Sequence, residues 1–108
     1  MAYDEGMVTR LRDVLGGEPD VDEKRMFGGL VFMVAGHMCV GTRDDRMLVR
    51  AGTDDVLGEP GVRPMEQRSG RRMRGWVFVD HAVVSEDADL ERWVDLALDV
   101  VRSLPPRS

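Results

Sequence analysis

The stretch MFGGLVFMVAGHMCVGTRDDRMLVR, residues 26–50, decides the fold. Residues 30–35 are an apolar run too short for a helix of ordinary length, and Gly36-His37 turns the chain. Residues 38–41 follow, residues 43–45 turn it again, and residues 47–50 complete a meander. Strands this short, joined by turns of a few residues, must be antiparallel neighbours. Residues 30–35 are apolar on both alternating faces, which predicts that the sheet has a second covered surface besides the one its helices occupy.

Outward from this meander the period changes. Tyr3, Met7, Leu11, Val14 and Leu15 recur at helical spacing, with Asp4 and Glu5 in the first turn and Gly16-Gly17 just beyond the end. Residues 18–23 read as an acidic, proline-containing connector. Thr53-Asp54-Asp55 can cap one helical turn, which residues 58–61 stop. A second hairpin then runs through residues 63–68, a two-residue turn at Ser69-Gly70, and residues 71–80. Leu90, Trp93, Val94, Ala97, Leu98 and Val101 form a last helical stripe, ended by Ser103-Leu104-Pro105-Pro106. The expected order is helix, three strands, short helix, two strands, helix. This is an α+β fold, an antiparallel sheet with helices packed on one face. Residues 1–108 make a single domain of common size.

Composition bounds the function. Apolar residues make up 43% of the chain, enough for one modest core. No run approaches the roughly 18–20 apolar residues of a membrane span. The N-terminus shows neither a basic region nor an apolar one, so no signal peptide is read and a cytoplasmic location is the default. The single Cys39 excludes an internal disulfide. Arginine (14) displaces lysine (Lys24 alone), so arginine is this chain's default cation. The net charge is −5, yet Arg63, Arg68, Arg71, Arg72 and Arg74 against Glu66 give residues 63–74 a charge of +4. The remainder carries −9. Charge segregated in this way points to an anionic partner.

Three blocks resemble a known family. Residues 24–33, KRMFGGLVFM, followed by Arg63-Pro64-Met65 and by residues 73–79, MRGWVFV, are similar to the signature of the TfoX/Sxy N-terminal domain family. Trp93 to Leu98 with the Ser-Leu-Pro-Pro terminus also fits. The resemblance covers nearly the whole chain and implies a secretion-chaperone-like fold. The family takes its name from regulators of natural competence, in which a second, C-terminal domain follows; here the chain stops at Ser108, and a stand-alone domain is expected. No catalytic residues or cofactor come with the resemblance.

Each candidate site has a plainer reading beside it. On the second hairpin strand, alternation places Arg72, Arg74, Trp76 and Phe78 on one face and Met73, Val77 and Val79 on the other. With Arg68 and Arg71 these guanidinium groups could hold phosphate while Trp76 stacks on a base. The plainer reading has the arginines solvated or paired with neighbouring acids. Phe27-Gly28-Gly29 before a strand could cradle an anion, but lacks the spacing of a phosphate loop and reads as a bulge or tight turn. His37, Cys39 and His81 offer metal-ligand types with nothing to bring them together. Cys39 reads as a small buried residue. Asp44-Asp45, Asp54-Asp55, Asp87 and Asp89 sit where turns and caps already favour aspartate. Met26, Met33, Met38, Met47, Met65 and Met73 lie in or beside strands, where alternation should bury about half.

The sequence therefore predicts a non-enzymatic regulatory or adaptor domain that acts through protein contacts, with no cofactor, no metal and no membrane. Phe32 and Phe78 are the expected interface aromatics, and a homodimer is the simplest cover for the second sheet surface. The alternative is a nucleic-acid-binding module using the hairpin of residues 63–76.

Overall fold

The computed structural model describes residues 4–26, 28–66 and 69–105. Tyr3, Phe27 and Arg68 therefore lie outside the described residues.

The first helix, α1, spans Glu5–Val14. Asp4 caps it: its Oδ1 accepts hydrogen bonds from the Gly6 amide at 2.8 Å and the Met7 amide at 3.4 Å, satisfying two N–H groups the helix itself leaves open. Met7, Val8, Leu11 and Leu15 are its buried stripe. Four strands follow: β1 (Val21–Met26), β2 (Gly29–Val34), β3 (His37–Arg43) and β4 (Arg46–Arg50). A 3-10 turn at Asp55–Gly58 is opened by Thr53, whose Oγ1 accepts from the Asp55 amide at 3.1 Å. Then come β5 (Val62–Glu66), β6 (Arg72–Asp80), a second 3-10 turn at His81–Val84 and α2 (Asp87–Arg102).

The six strands form one antiparallel sheet in the order β1-β2-β3-β4-β6-β5. The α+β class and the meander are as the sequence predicts, with one strand more than expected. Residues 18–23 are not wholly a connector, because β1 begins at Val21 and pairs with β2 from Val21↔Val34 to Met26↔Gly29. The strand escapes a periodicity reading because it is an edge: four of its six residues are exposed, and Asp22-Glu23-Lys24-Arg25 carry charge on both faces. Charged edges of this kind discourage a further strand from adding to the sheet.

Both helices pack on the same side, α2 against β3 and β4 and α1 against β3. Between helices and sheet lies the main core, centred on Leu11, Phe32, Val49, Val77, Trp93 and Val94. On the rear face of the sheet, away from the helices, Val31, Leu48, Met65, Trp76 and Phe78 form a second buried cluster. The second covered surface expected from residues 30–35 is therefore present: Leu30, Phe32 and Val34 face the helices, and Val31 faces the rear.

Three multidentate ion pairs tie the helices to the connections. Arg12 on α1 grips Glu23 on β1 at 2.7 and 2.8 Å. Arg92 on α2 grips Glu59 at 2.8 and 2.7 Å, and Arg102 at the end of α2 reaches Asp20 at 2.8 and 2.9 Å and Glu18 at 2.7 Å. The guanidinium hydrogen bonds hold the carboxyls of Glu23, Glu59 and Asp20 below their ordinary values of 4.5, 4.5 and 3.8. As pH falls, the unfolded chain takes up these protons before the folded one. The stability they contribute is thus present above the unfolded values and lost as pH falls through the depressed folded ones, from about 4.5 downward. Thermal midpoints measured from near-neutral to acidic pH should drop in that window, and Arg102→Met should flatten the Asp20 component of the drop. An equally steep drop in the variant would show that the pairing contributes nothing.

Candidate functional site

The arginine-rich hairpin looks different in three dimensions. Its last strand pair is Glu66↔Arg72, so the connection is longer than a two-residue turn at Ser69-Gly70, and the register differs by one position. Between Pro64↔Val77 and Glu66↔Arg72 the chain advances two residues on β5 but five on β6. The excess is a bulge around Gly75, which has φ +79° and whose carbonyl accepts the Gly52 amide at 2.9 Å. Glycine tolerates that left-handed conformation where other residues are strained.

The bulge puts side-chain alternation out of step. Met73 joins Trp76 and Phe78 in the rear cluster, so Arg72 and Arg74 do not share a face with Trp76 as simple alternation predicts. Arg72 pairs with Asp54 at 2.9 Å and Arg63 with Asp80 at 3.4 Å. Arg71 and Arg74 are exposed and have no ion-pair partner among the described residues. Trp76 is 5% exposed and offers no face for a base to stack on. Phe32, expected at an interface, is fully buried in the helix-side core.

The rear face is where aromatic and cationic groups converge. Strand alternation on β4 sends Arg46, Leu48 and Arg50 to this side, and pairing sets them opposite Asp80, Phe78 and Trp76. The Arg43 and Arg46 guanidiniums lie 4.7 and 5.3 Å from the centre of the Phe78 ring, and Arg50 lies 5.8 Å from that of Trp76. Arg50 also donates to the Met38 carbonyl at 3.2 Å. Met26, Met33, Met38 and Met73, all partly buried, pack around the cluster. Of the six methionines placed in or beside strands, only Met47 belongs to the helix-side core. Arg46 and Arg50 were legible as one face of a strand from the pattern Arg46-Met47-Leu48-Val49-Arg50, a signal masked by the denser arginine run near the hairpin.

The remaining candidates are placed by structural roles. Gly28 has φ +75°, and a methyl built on Gly29 would stand well inside 3.0 Å of the Thr42 carbonyl oxygen, so the Gly-Gly pair serves a turn and a close strand approach. His37 Nε2 lies 2.6 Å from the Pro105 carbonyl oxygen. His81 contacts Thr42 Oγ1 through Nε2 at 3.1 Å and faces Asp4 through Nδ1 at 3.8 Å. Thr42, fully buried, donates to the Arg46 carbonyl at 3.2 Å and is thereby satisfied. Burial pushes the Cys39 thiol up to about 12, so at neutral pH it is protonated and a poor nucleophile. Among the described residues no group of three or more His, Cys, Asp or Glu side chains could hold a metal ion. Asp44 has φ +53° in the β3–β4 turn, and Asp87 and Asp89 occupy the first turn of α2, so these acids are turn and helix-end residues.

A six-stranded antiparallel sheet with two helices on one side and a methionine- and arginine-fringed cluster on the other defines an α+β domain with two apolar faces. The family model of the TfoX N-terminal domain matches residues 13–101, and the chain belongs to that family. No curated protein and no solved structure matches it.

Proposed function

We propose that this domain is a non-enzymatic regulatory or adaptor module, of the kind found in competence regulators, that works by contacting another protein. The observation that carries the reading is the rear face of the sheet, opposite α1 and α2, where Trp76 and Phe78 lie beneath three arginines and amid four partly exposed methionines. Methionine-rich surfaces repack to suit a partner, and arginine and aromatics are the residues that most often anchor protein contacts.

Other functions find less support. The thiol is protonated, the two histidines are engaged with Pro105, Thr42 and Asp4, and the acid pairs sit in turns and at helix ends. Nucleic-acid binding through the hairpin loses Arg63 and Arg72 to ion pairs and Trp76 to burial. Among the described residues no helix is long and apolar enough to cross a membrane.

The test combines capture with reconstitution. Proteins crosslinked to the tagged domain in a lysate of its source cells are purified and titrated against it, with labelled duplex and single-stranded DNA run in parallel. The reading expects saturable association with a purified protein and no salt-sensitive DNA binding. Tight DNA binding that weakens steeply with salt, the signature of counterion release, would overturn it.

A further inference from the structure

Strand register sorts the charges of the sheet by face. Lys24, Arg43, Arg46, Arg50 and Arg63 fall on the rear face with Val31, Leu48 and Phe78; the strand acids there are Asp22 and Asp80, Asp80 pairs with Arg63, and Asp45 in the β3–β4 turn lies 3.9 Å from Arg46. The rear face is therefore cationic on a chain whose net charge is −5. The opposite side is acidic: α2 carries Asp87, Asp89, Glu91, Asp95 and Asp99. The anionic partner implied by the segregated charge of the sequence thus finds its matching surface on the back of the sheet, at a distance in sequence from the arginine run that first suggested it.

We propose that the rear face docks an acidic segment bearing apolar side chains from a partner protein, an inference that rests on the reading of the domain as a protein-contact module. Arg43, Arg46 and Arg50 act as a movable cover over Phe78 and Trp76. Cation–π contacts at partly exposed sites are worth about 0.5–1 kcal/mol each, and carboxylates of an incoming segment would replace them together with the Asp45 contact of Arg46 at 3.9 Å and the Met38 carbonyl contact of Arg50 at 3.2 Å. Arginine pairs with carboxylates through two parallel hydrogen bonds, which fixes the orientation of the incoming chain. The aromatic edges and the methionines then receive its apolar side chains, and the flexible thioethers adapt to their shape.

Charge also decides between occupants. Two copies meeting rear face to rear face would oppose arginine to arginine, which disfavours a symmetric homodimer through this surface. A nucleic acid would satisfy the cations but leave the methionine fringe against phosphate and sugar, and Trp76 and Phe78, at 5% and 3% exposure, give bases no stacking platform.

The test is a methyl-labelled methionine NMR titration of the full chain. The probe is a synthetic amphipathic peptide with glutamates on one side and leucine and phenylalanine on the other. The signals of Met26, Met33, Met38 and Met73 are expected to shift, while those of Met7 and Met47, on the helix side, stay in place. A peptide with lysine for every glutamate, oligo-glutamate without apolar residues, and single-stranded DNA should each bind at least about tenfold more weakly, a difference of roughly 1.4 kcal/mol. Arg43→Glu, Arg46→Glu and Arg50→Glu together should abolish the shifts. Unchanged Met7 and Met47 signals would show that this variant is folded; if it is not, the wild-type map and the control ligands alone decide. Shifts confined to the helix side, equal binding of the lysine peptide, or stronger binding of DNA at the same methyls would overturn the proposal. A partner protein that binds the domain but ignores the three reversals would end this proposal and leave the adaptor reading intact.

Discussion

Gly29→Ala is expected to destabilise the domain by about 3 kcal/mol, the upper part of the range for overpacking a closed structure. A methyl there would meet the Thr42 carbonyl oxygen and carbon and the Arg43 Cα, all backbone, at 3.1 Å or less. Backbone of paired strands cannot swing aside as a long side chain can. Relief requires β2 and β3 to separate, and Phe32 and Val40, which face each other across that pair, are both fully buried. Gly58→Ala is the matched control: nothing lies within 4 Å of its added methyl, and its φ is not in the left-handed region. That substitution should be neutral or stabilise by about 0.4–1 kcal/mol by restricting the unfolded chain. Urea denaturation of the two variants beside the parent checks the pair. Equal stability for Gly29→Ala and the parent would show that the strands are not as close as described.

Trp93→Ala carries the second large effect. Trp93 is the largest fully buried side chain, 1% exposed, and it sits on the buried stripe of α2 with Leu90, Val94, Ala97 and Val101. Truncation loses the transfer energy of the indole and leaves a cavity that the sheet, held by pairing on both sides of β3 and β4, cannot collapse to fill. A cost of about 3–5 kcal/mol follows. For a domain whose total stability is of the order of 5–15 kcal/mol, that loss separates a cooperative melt from a fraying one. Trp93→Phe keeps a ring in place and should cost clearly less. A denaturation midpoint for Trp93→Ala within error of the parent would contradict the placement of α2 on the sheet.

Much of this fold is legible in the sequence because its signals are local. Asp4 and the stripe from Met7 to Leu15 define α1, the stripe from Leu90 to Val101 defines α2, and the meander is divided by the Asp44-Asp45 turn and by a turn at Ala35-Gly36, one residue before the expected Gly36-His37. β1 is illegible for a physical reason: an edge strand with solvent on both faces has no apolar period to show, and only its backbone pairing with β2 makes it a strand. The hairpin is misread at two places, its connection, which is longer than a two-residue turn at Ser69-Gly70, and the bulge around Gly75. One glycine with positive φ shifts the alternation between Met73 and Trp76, and nothing in Arg74-Gly75-Trp76 distinguishes a bulge from an ordinary strand glycine.

The candidate site was legible in part. A count of charges along the chain finds the arginine run near the hairpin, but sequence distance hides that Arg72 meets Asp54 and Arg63 meets Asp80. Trp76 and Phe78, singled out from the sequence as a stacking and an interface aromatic, are both buried in the rear cluster. Their true companions, Arg43, Arg46 and Arg50, come from strands on the other side of the short 3-10 turn, and the β3–β4 and β4–β6 pairings bring them together. The order β4-β6-β5 is a tertiary fact that local pattern does not encode.

Whether the rear face or the hairpin holds the partner is decided by comparing the two arginine sets against one protein. The protein recovered by crosslinking is titrated with the parent domain, with a rear-face variant (Arg43, Arg46 and Arg50 each →Glu), and with a hairpin variant (Arg71, Arg72 and Arg74 each →Ala). Each variant is first shown to be folded by its thermal melt. The rear-face variant is expected to lose at least about tenfold in affinity, roughly 1.4 kcal/mol, while the hairpin variant binds nearly as the parent does. Loss of binding in the hairpin variant with the rear-face variant unaffected would contradict that expectation and return the site to residues 63–76.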